Sequence, residues 1–165
     1  MRDKIRRNPK RIIVVFLILL PLLWFIYLFS ISFEDHCNVR KGTLLWYATM
    51  NNKTITKFPV IKLDGKVTYN SIGGDSPSIA AGWEIIYTSS EDIEKITEEI
   101  LEYLKNRGFA IHEVEQTEHY WMGKYKRNEM SRLYSGVNKQ KGEGLNLSLF
   151  LQKNGKTTIE CTIVF

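Results

Sequence analysis

The vocabulary of catalysis is scarce in this 165-residue chain, which holds two cysteines and three histidines. Two cysteines exclude a disulfide-rich scaffold. Cys37 and Cys161 permit one bridge, which would close nearly the whole chain beyond residue 37. Cys161 alternates with Ile159, Ile163 and Phe165, the spacing of one strand face, which instead makes it a small core residue. Cys37 stands beside His36, but neighbours on an extended chain point opposite ways and no third group orients the pair, so no activated thiol is assigned. There is no nucleophile elbow, and no serine–histidine–acid set can be nominated. The stretch GGDSPS at 73–78 lacks the lysine and hydroxyl residue of a P-loop and does not open directly onto a helix, so it reads as a loop and not as a phosphate cradle. No internal repeat or low-complexity tract is visible, and nothing calls for a cofactor.

Acidic and basic charge are absent from residues 12–33. Twenty-two residues at about 1.5 Å each reach roughly 33 Å, enough for a hydrocarbon core about 30 Å thick. A cleavable signal peptide has a shorter apolar region, about 7 to 15 residues, and small residues at its cut. Here Phe33, Glu34, Asp35 and His36 follow, which spoils a cleavage site and equally spoils a lipoprotein site at Cys37. The expectation is a retained signal-anchor helix over 12–33, including Ile12, Phe16, Leu20, Trp24, Tyr27 and Phe33, in contact with membrane lipid. Pro21 is tolerated in such a helix, where a kink is accommodated locally.

The chain carries a formal net charge of +5, all of it from residues 1–33. From Glu34 onward, 17 basic residues balance 17 acidic ones, so nucleic-acid binding loses its electrostatic support. The basic arm at 1–11, with Arg6, Arg7, Lys10 and Arg11, precedes the apolar run, and Glu34 and Asp35 follow it. This asymmetry predicts a cytoplasmic N-terminus and an extracytoplasmic C-terminal domain, hence a single-pass protein of the cell membrane.

The remainder divides into a juxtamembrane segment at 34–56 and a domain at 57–165. LLWYATM at 44–50 is a short strand or a stalk. FPVIKLDGKVTYNSI reads as a hairpin about Asp64 and Gly65, with a three-residue loop pairing Ile61 with Val67. WEIIYT puts Trp83, Ile85 and Tyr87 on one strand face. SSEDIEKITEEILEYLKNRGF is an amphipathic helix of about 17 residues. Ser89 and Asp92 form its cap, Ile93, Ile96, Ile100, Leu101 and Leu104 its stripe, and Gly108 its end. At the C-terminal end, Leu145, Leu147, Leu149 and Leu151 alternate, then Ile159, Cys161, Ile163 and Phe165. Two-residue pairing would set Leu149 against Glu160. A loop of Lys153, Asn154 and Gly155 pairs Leu149 with Ile159 and Leu147 with Cys161. Strands, one helix and more strands predict an α+β fold, an antiparallel sheet with an amphipathic helix packed on it.

Two stretches invite chemistry. HEVEQTEHYW sets His112 and His119 among Glu113, Glu115 and Glu118. Zinc binding through HExxH needs histidines four apart on a helix, whereas these are seven apart and face opposite sides of a strand, so they read as a charged surface strand. KYKRNEMSRLY interleaves Lys124, Lys126, Arg127 and Arg132 with Tyr125 and Tyr134, a candidate surface for anionic headgroups or envelope polymers, against the plainer reading of a charged hairpin or loop. Sequons occur at Asn52 and Asn146. The functional expectation is a membrane-anchored, non-catalytic module that binds a protein or an envelope component. Its alternatives are an envelope hydrolase or metal-dependent enzyme using His112 or His119, and an inhibitor or immunity protein of an exported enzyme.

Overall fold

A computed structural model describes residues 9–31, 36–73, 81–114 and 130–165. The elements run α1 (Pro9–Ile31), α2 (Leu44–Thr49), α3 (Lys53–Thr56), β1 (Thr68–Ile72), β2 (Gly82–Ser89), α4 (Ile93–Asn106), β3 (Ala110–Glu113), β4 (Met130–Asn138), β5 (Glu143–Leu151) and β6 (Thr157–Val164). The strands form one antiparallel sheet in the order β1-β2-β6-β5-β4-β3, with α4 packed on it. The expected α+β class is the observed one.

The β5–β6 register agrees with the hydrophobic pattern, Leu149 opposite Ile159 and Leu147 opposite Cys161. Residues 153–155 close the turn, where Gln152 N–H donates to the Lys156 carbonyl at 2.7 Å and Gly155 adopts φ +78°. That left-handed conformation is one which a side chain would resist. Register follows from burial, since a slip by one residue would turn Leu145, Leu147 and Leu149 to the opposite face.

α4 begins later than its sequence signature suggests. Asp92, not Ser89, is the N-cap, its carboxylate accepting from the N–H groups of Glu94 and Lys95. Ser89 closes β2 instead, because its buried hydroxyl donates to the Ile61 carbonyl at 2.7 Å and accepts from Glu91 N–H. The helix ends in a Schellman arrangement, with Gly108 N–H on the Lys105 carbonyl and Phe109 N–H on that of Leu104. Ile93, Ile96, Ile100 and Leu104 are buried against Ile85, Tyr87, Leu145, Leu147, Leu149, Ile159, Cys161 and Ile163.

Three expectations are corrected. No hairpin forms about Asp64 and Gly65. Leu63 pairs with Ser89 and β1 pairs with the same strand, so residues 64–67 form an outward bulge in one edge segment beside β2. Gly65, at φ +105°, permits it, and Lys156 holds Asp64 in an ion pair. Ile61 and Phe58 are then free to enter the core. Second, LLWYATM is neither strand nor stalk but α2, capped by Thr43 and closed at Met50. Third, the boundary drawn at residue 57 has core residues on both sides, since Val39, Trp46, Met50 and Ile55 share one cluster with the sheet. Trp46 meets the ring of Tyr69 edge-on at 4.7 Å, and Val39 N–H donates to the Tyr69 carbonyl.

In α1 the side chains at 16–27 are described, and all of them are exposed. That part covers about 18 Å at 1.5 Å per residue. Among the described residues no helix is long and apolar enough to cross a membrane.

Candidate functional site

Strand alternation assigns every sheet residue to one of two faces. Tyr69, Ile85, Tyr87, Ile159, Cys161, Ile163, Leu145, Leu147, Leu149 and Tyr134 occupy the face covered by the helices. Burial pushes the thiol of Cys161 and the phenol of Tyr87 well above their ordinary values, and the Tyr87 hydroxyl donates to the Pro59 carbonyl. These groups stay neutral and serve packing.

The opposite face carries Ile72, Ile86, Leu133, Val137, Phe150 and Val164 among Asn70, Thr88, Thr158, Thr162, Ser135, Asn146 and Ser148. Most of these side chains are half-buried, and Asn146 and Val137 are exposed. Among the described residues no helix and no second sheet lies over it. Its charged groups are carboxylates, Glu84 and Glu160, with His112 at the β3 edge; the described strands place no lysine or arginine there. Glu84 accepts from the Asn70 amide across the β1–β2 pair. Glu84 lies opposite Thr162 and Ile86 opposite Glu160, so the two carboxylates are diagonal neighbours on adjacent strands. This is a flat surface of mixed apolar, hydroxyl and acidic character.

The candidates from sequence separate on this frame. His112 lies exposed on β3 opposite Ser135, whereas His119, Glu115 and Glu118 lie outside the described residues. Among the described residues no three histidine, cysteine or acidic side chains are grouped to hold a metal ion. Lys124, Tyr125, Lys126 and Arg127 also lie outside the described residues, as do Arg6, Arg7 and Phe33, while Lys10, Arg11 and Ile12 are described only as helical backbone. Arg132 and Tyr134 belong to β4, a strand with no clear signature, because its helix-side positions are Arg132, Tyr134, Gly136 and Asn138. Arg132 is engaged by Glu94 of α4, whose hydrogen bond raises its already high pKa further. Tyr134 is 8% exposed and lies in the core, so it offers no surface for binding. The mixture of basic and aromatic residues places both at a surface, but the strand alternation of β4 turns them toward the helices.

Cys37 is exposed and Cys161 buried, and both are free thiols, so the bridge the composition permits is not formed. The two sequons differ as well. Asn52 is buried, its carbonyl oxygen accepting from the N–H groups of Thr54 and Ile55 to cap α3 and its amide donating to Glu143 at 3.0 Å. Asn146 stands exposed on the uncovered face.

No protein-family model, curated protein or solved structure matches this chain. The functional reading therefore rests on its own sequence and geometry.

Proposed function

We propose that this is a single-pass membrane protein, N-terminus cytoplasmic, that presents its α+β domain outside the cytoplasm to bind a protein or an envelope component without catalysing a reaction. The observation that carries the reading is α1. Its large apolar side chains from Phe16 to Tyr27 are 46% to 70% exposed, while the sheet domain completes a core without them. Exposed apolar surface of that extent marks a contact with lipid or with another protein. The uncharged run at 12–33 would reach about 33 Å as a helix, enough for a hydrocarbon core about 30 Å thick. The basic arm before it and the acids at Glu34 and Asp35 favour an internal N-terminus.

The sheet face that no described helix covers supports the binding part of the reading, being apolar at Ile86, Leu133 and Val164 and polar between them, the composition of an ordinary non-obligate interface. The test has two arms. A reporter fused after Phe165 is expected to be active only outside the cytoplasm. A photoreactive residue at Asn146, on the open face, is expected to trap one discrete partner in native membranes, and the same residue at Glu98, on α4, is not. Cytoplasmic activity would overturn the topology, and equal labelling from both positions would overturn the use of the sheet face.

A further inference from the structure

The segment that precedes the sheet has a composition unlike the rest of the domain. Residues 36–63 contain Arg40, Lys41, Lys53, Lys57 and Lys62 and no aspartate or glutamate. Lys62 is paired with Glu91 at 2.9 Å. Arg40, Lys41, Lys53 and Lys57 are exposed. On α2, Leu44 and Tyr47 are one helical turn apart and 68% and 74% exposed, while Trp46 between them is buried against Tyr69. An outward apolar pair beside Arg40 and Lys41 is the pattern of a helix at a membrane interface, where aromatic and aliphatic groups enter the headgroup boundary and cations meet phosphate.

Position in the chain identifies the membrane. Only residues 32–35 separate α1 from His36, which is already paired with Ser71 on the β1 edge. Five Cα steps reach at most about 18 Å, and α1 lies against α2. The short connection and the contact between the two helices keep α2 beside α1. The sheet face that carries Glu84 lies on the other side of the sheet from α2, so the basic segment and that face point in opposite directions.

We infer that α2 is a second membrane contact, Leu44 and Tyr47 inserting into the outer headgroup boundary of the bilayer that α1 spans and Arg40 and Lys41 contacting anionic headgroups, so that the sheet face opposite the helices points away from the lipid. This rests on the anchored reading above, and its test separates the two. The full chain carrying Cys37→Ser is reconstituted in phosphatidylcholine vesicles with about a third phosphatidylglycerol, a content at which basic surface residues bind lipid. A nitroxide is attached in turn at Tyr47→Cys, Leu44→Cys, Leu20→Cys and His112→Cys; Cys161 is buried and stays unlabelled. Accessibility to oxygen is compared with accessibility to a water-soluble nickel chelate.

Labels at positions 44 and 47 are expected to shift toward the lipid-embedded values at position 20, and position 112 to remain aqueous. Arg40→Glu with Lys41→Glu is expected to return position 47 toward the value at position 112. If position 20 is lipid-embedded but 44 and 47 match 112, the α2 contact is overturned and the anchor stands. An aqueous position 20 overturns the anchor and this inference with it. Unchanged depth at position 47 after charge reversal overturns the assignment of Arg40 and Lys41 to headgroups.

Discussion

Leu149 and Phe150 are adjacent on β5, yet they face opposite sides of the sheet, Leu149 fully buried opposite Ile159 and Phe150 half-buried opposite Thr158. Truncating each to alanine measures whether one face is a core and the other a surface. Leu149→Ala removes three carbons, which at about 0.8 kcal/mol per buried carbon is about 2.4 kcal/mol, and the residual cavity among Ile159, Leu147 and α4 brings the cost to about 3 kcal/mol. Phe150→Ala removes a larger side chain that is only half-buried, so less apolar surface returns to water and the cost is about 1 kcal/mol. For a domain of this size a urea dependence of about 1.5 kcal/mol per molar converts these costs to midpoint shifts of about 2 M and about 0.7 M. The assay is urea unfolding of the full chain in mild detergent, followed by tryptophan fluorescence. A Phe150→Ala shift equal to or larger than that of Leu149→Ala would refute the face assignment.

Glu91 receives hydrogen bonds from Lys62, then from the Asp92 backbone, then from Lys95, and its pKa falls from an ordinary 4.5 to about 2. Its stabilising effect is complete above pH 4.5 and disappears as the pH falls toward 2. Glu91→Gln is therefore expected to flatten that part of the profile of melting temperature against pH, and an unchanged profile would remove Glu91 from the account. Ellman's reagent is expected to titrate one thiol in the folded protein, Cys37, and two in denaturant, since Cys161 is buried. Two reactive thiols in the native state would place Cys161 at a surface. Asn52→Ala removes the cap of α3 and the amide donor to Glu143, a loss of about 2 kcal/mol readable by urea unfolding. Asn52→Ser keeps a cap oxygen and is expected to recover about half of it.

Legibility in the sequence tracked the strength of local pattern. β5, β6 and α4 carry strict periodicity, and their register, buried stripe and C-terminal cap appear in the structure as the pattern implies. Where a segment reached outside its own neighbourhood for partners, the pattern misled. Ser89 looks like a helix cap by spacing, but the Ile61 carbonyl holds its hydroxyl from 28 residues away. Asp64 and Gly65 have the chemistry of a hairpin turn, but β2 already supplies pairing for both flanks, and a bulge results. β4 was invisible because Arg132 and Asn138 occupy its helix-side positions, satisfied by Glu94 and by the Arg107 carbonyl. The basic-aromatic surface predicted there loses Tyr134 to the core for the same reason.

By itself the sequence determined the α+β class, the amphipathic helix, the neutrality of the chain beyond residue 33 and the apolar run before it, since each is a property of composition or short-range period. Only the tertiary structure decided that residues 36–56 belong to the core, that Asn52 is buried while Asn146 is exposed, and that the described helices pack on one face of the sheet. Those facts depend on which distant segments meet. Contact between distant segments is set by the summed burial of the whole chain, which no local window contains.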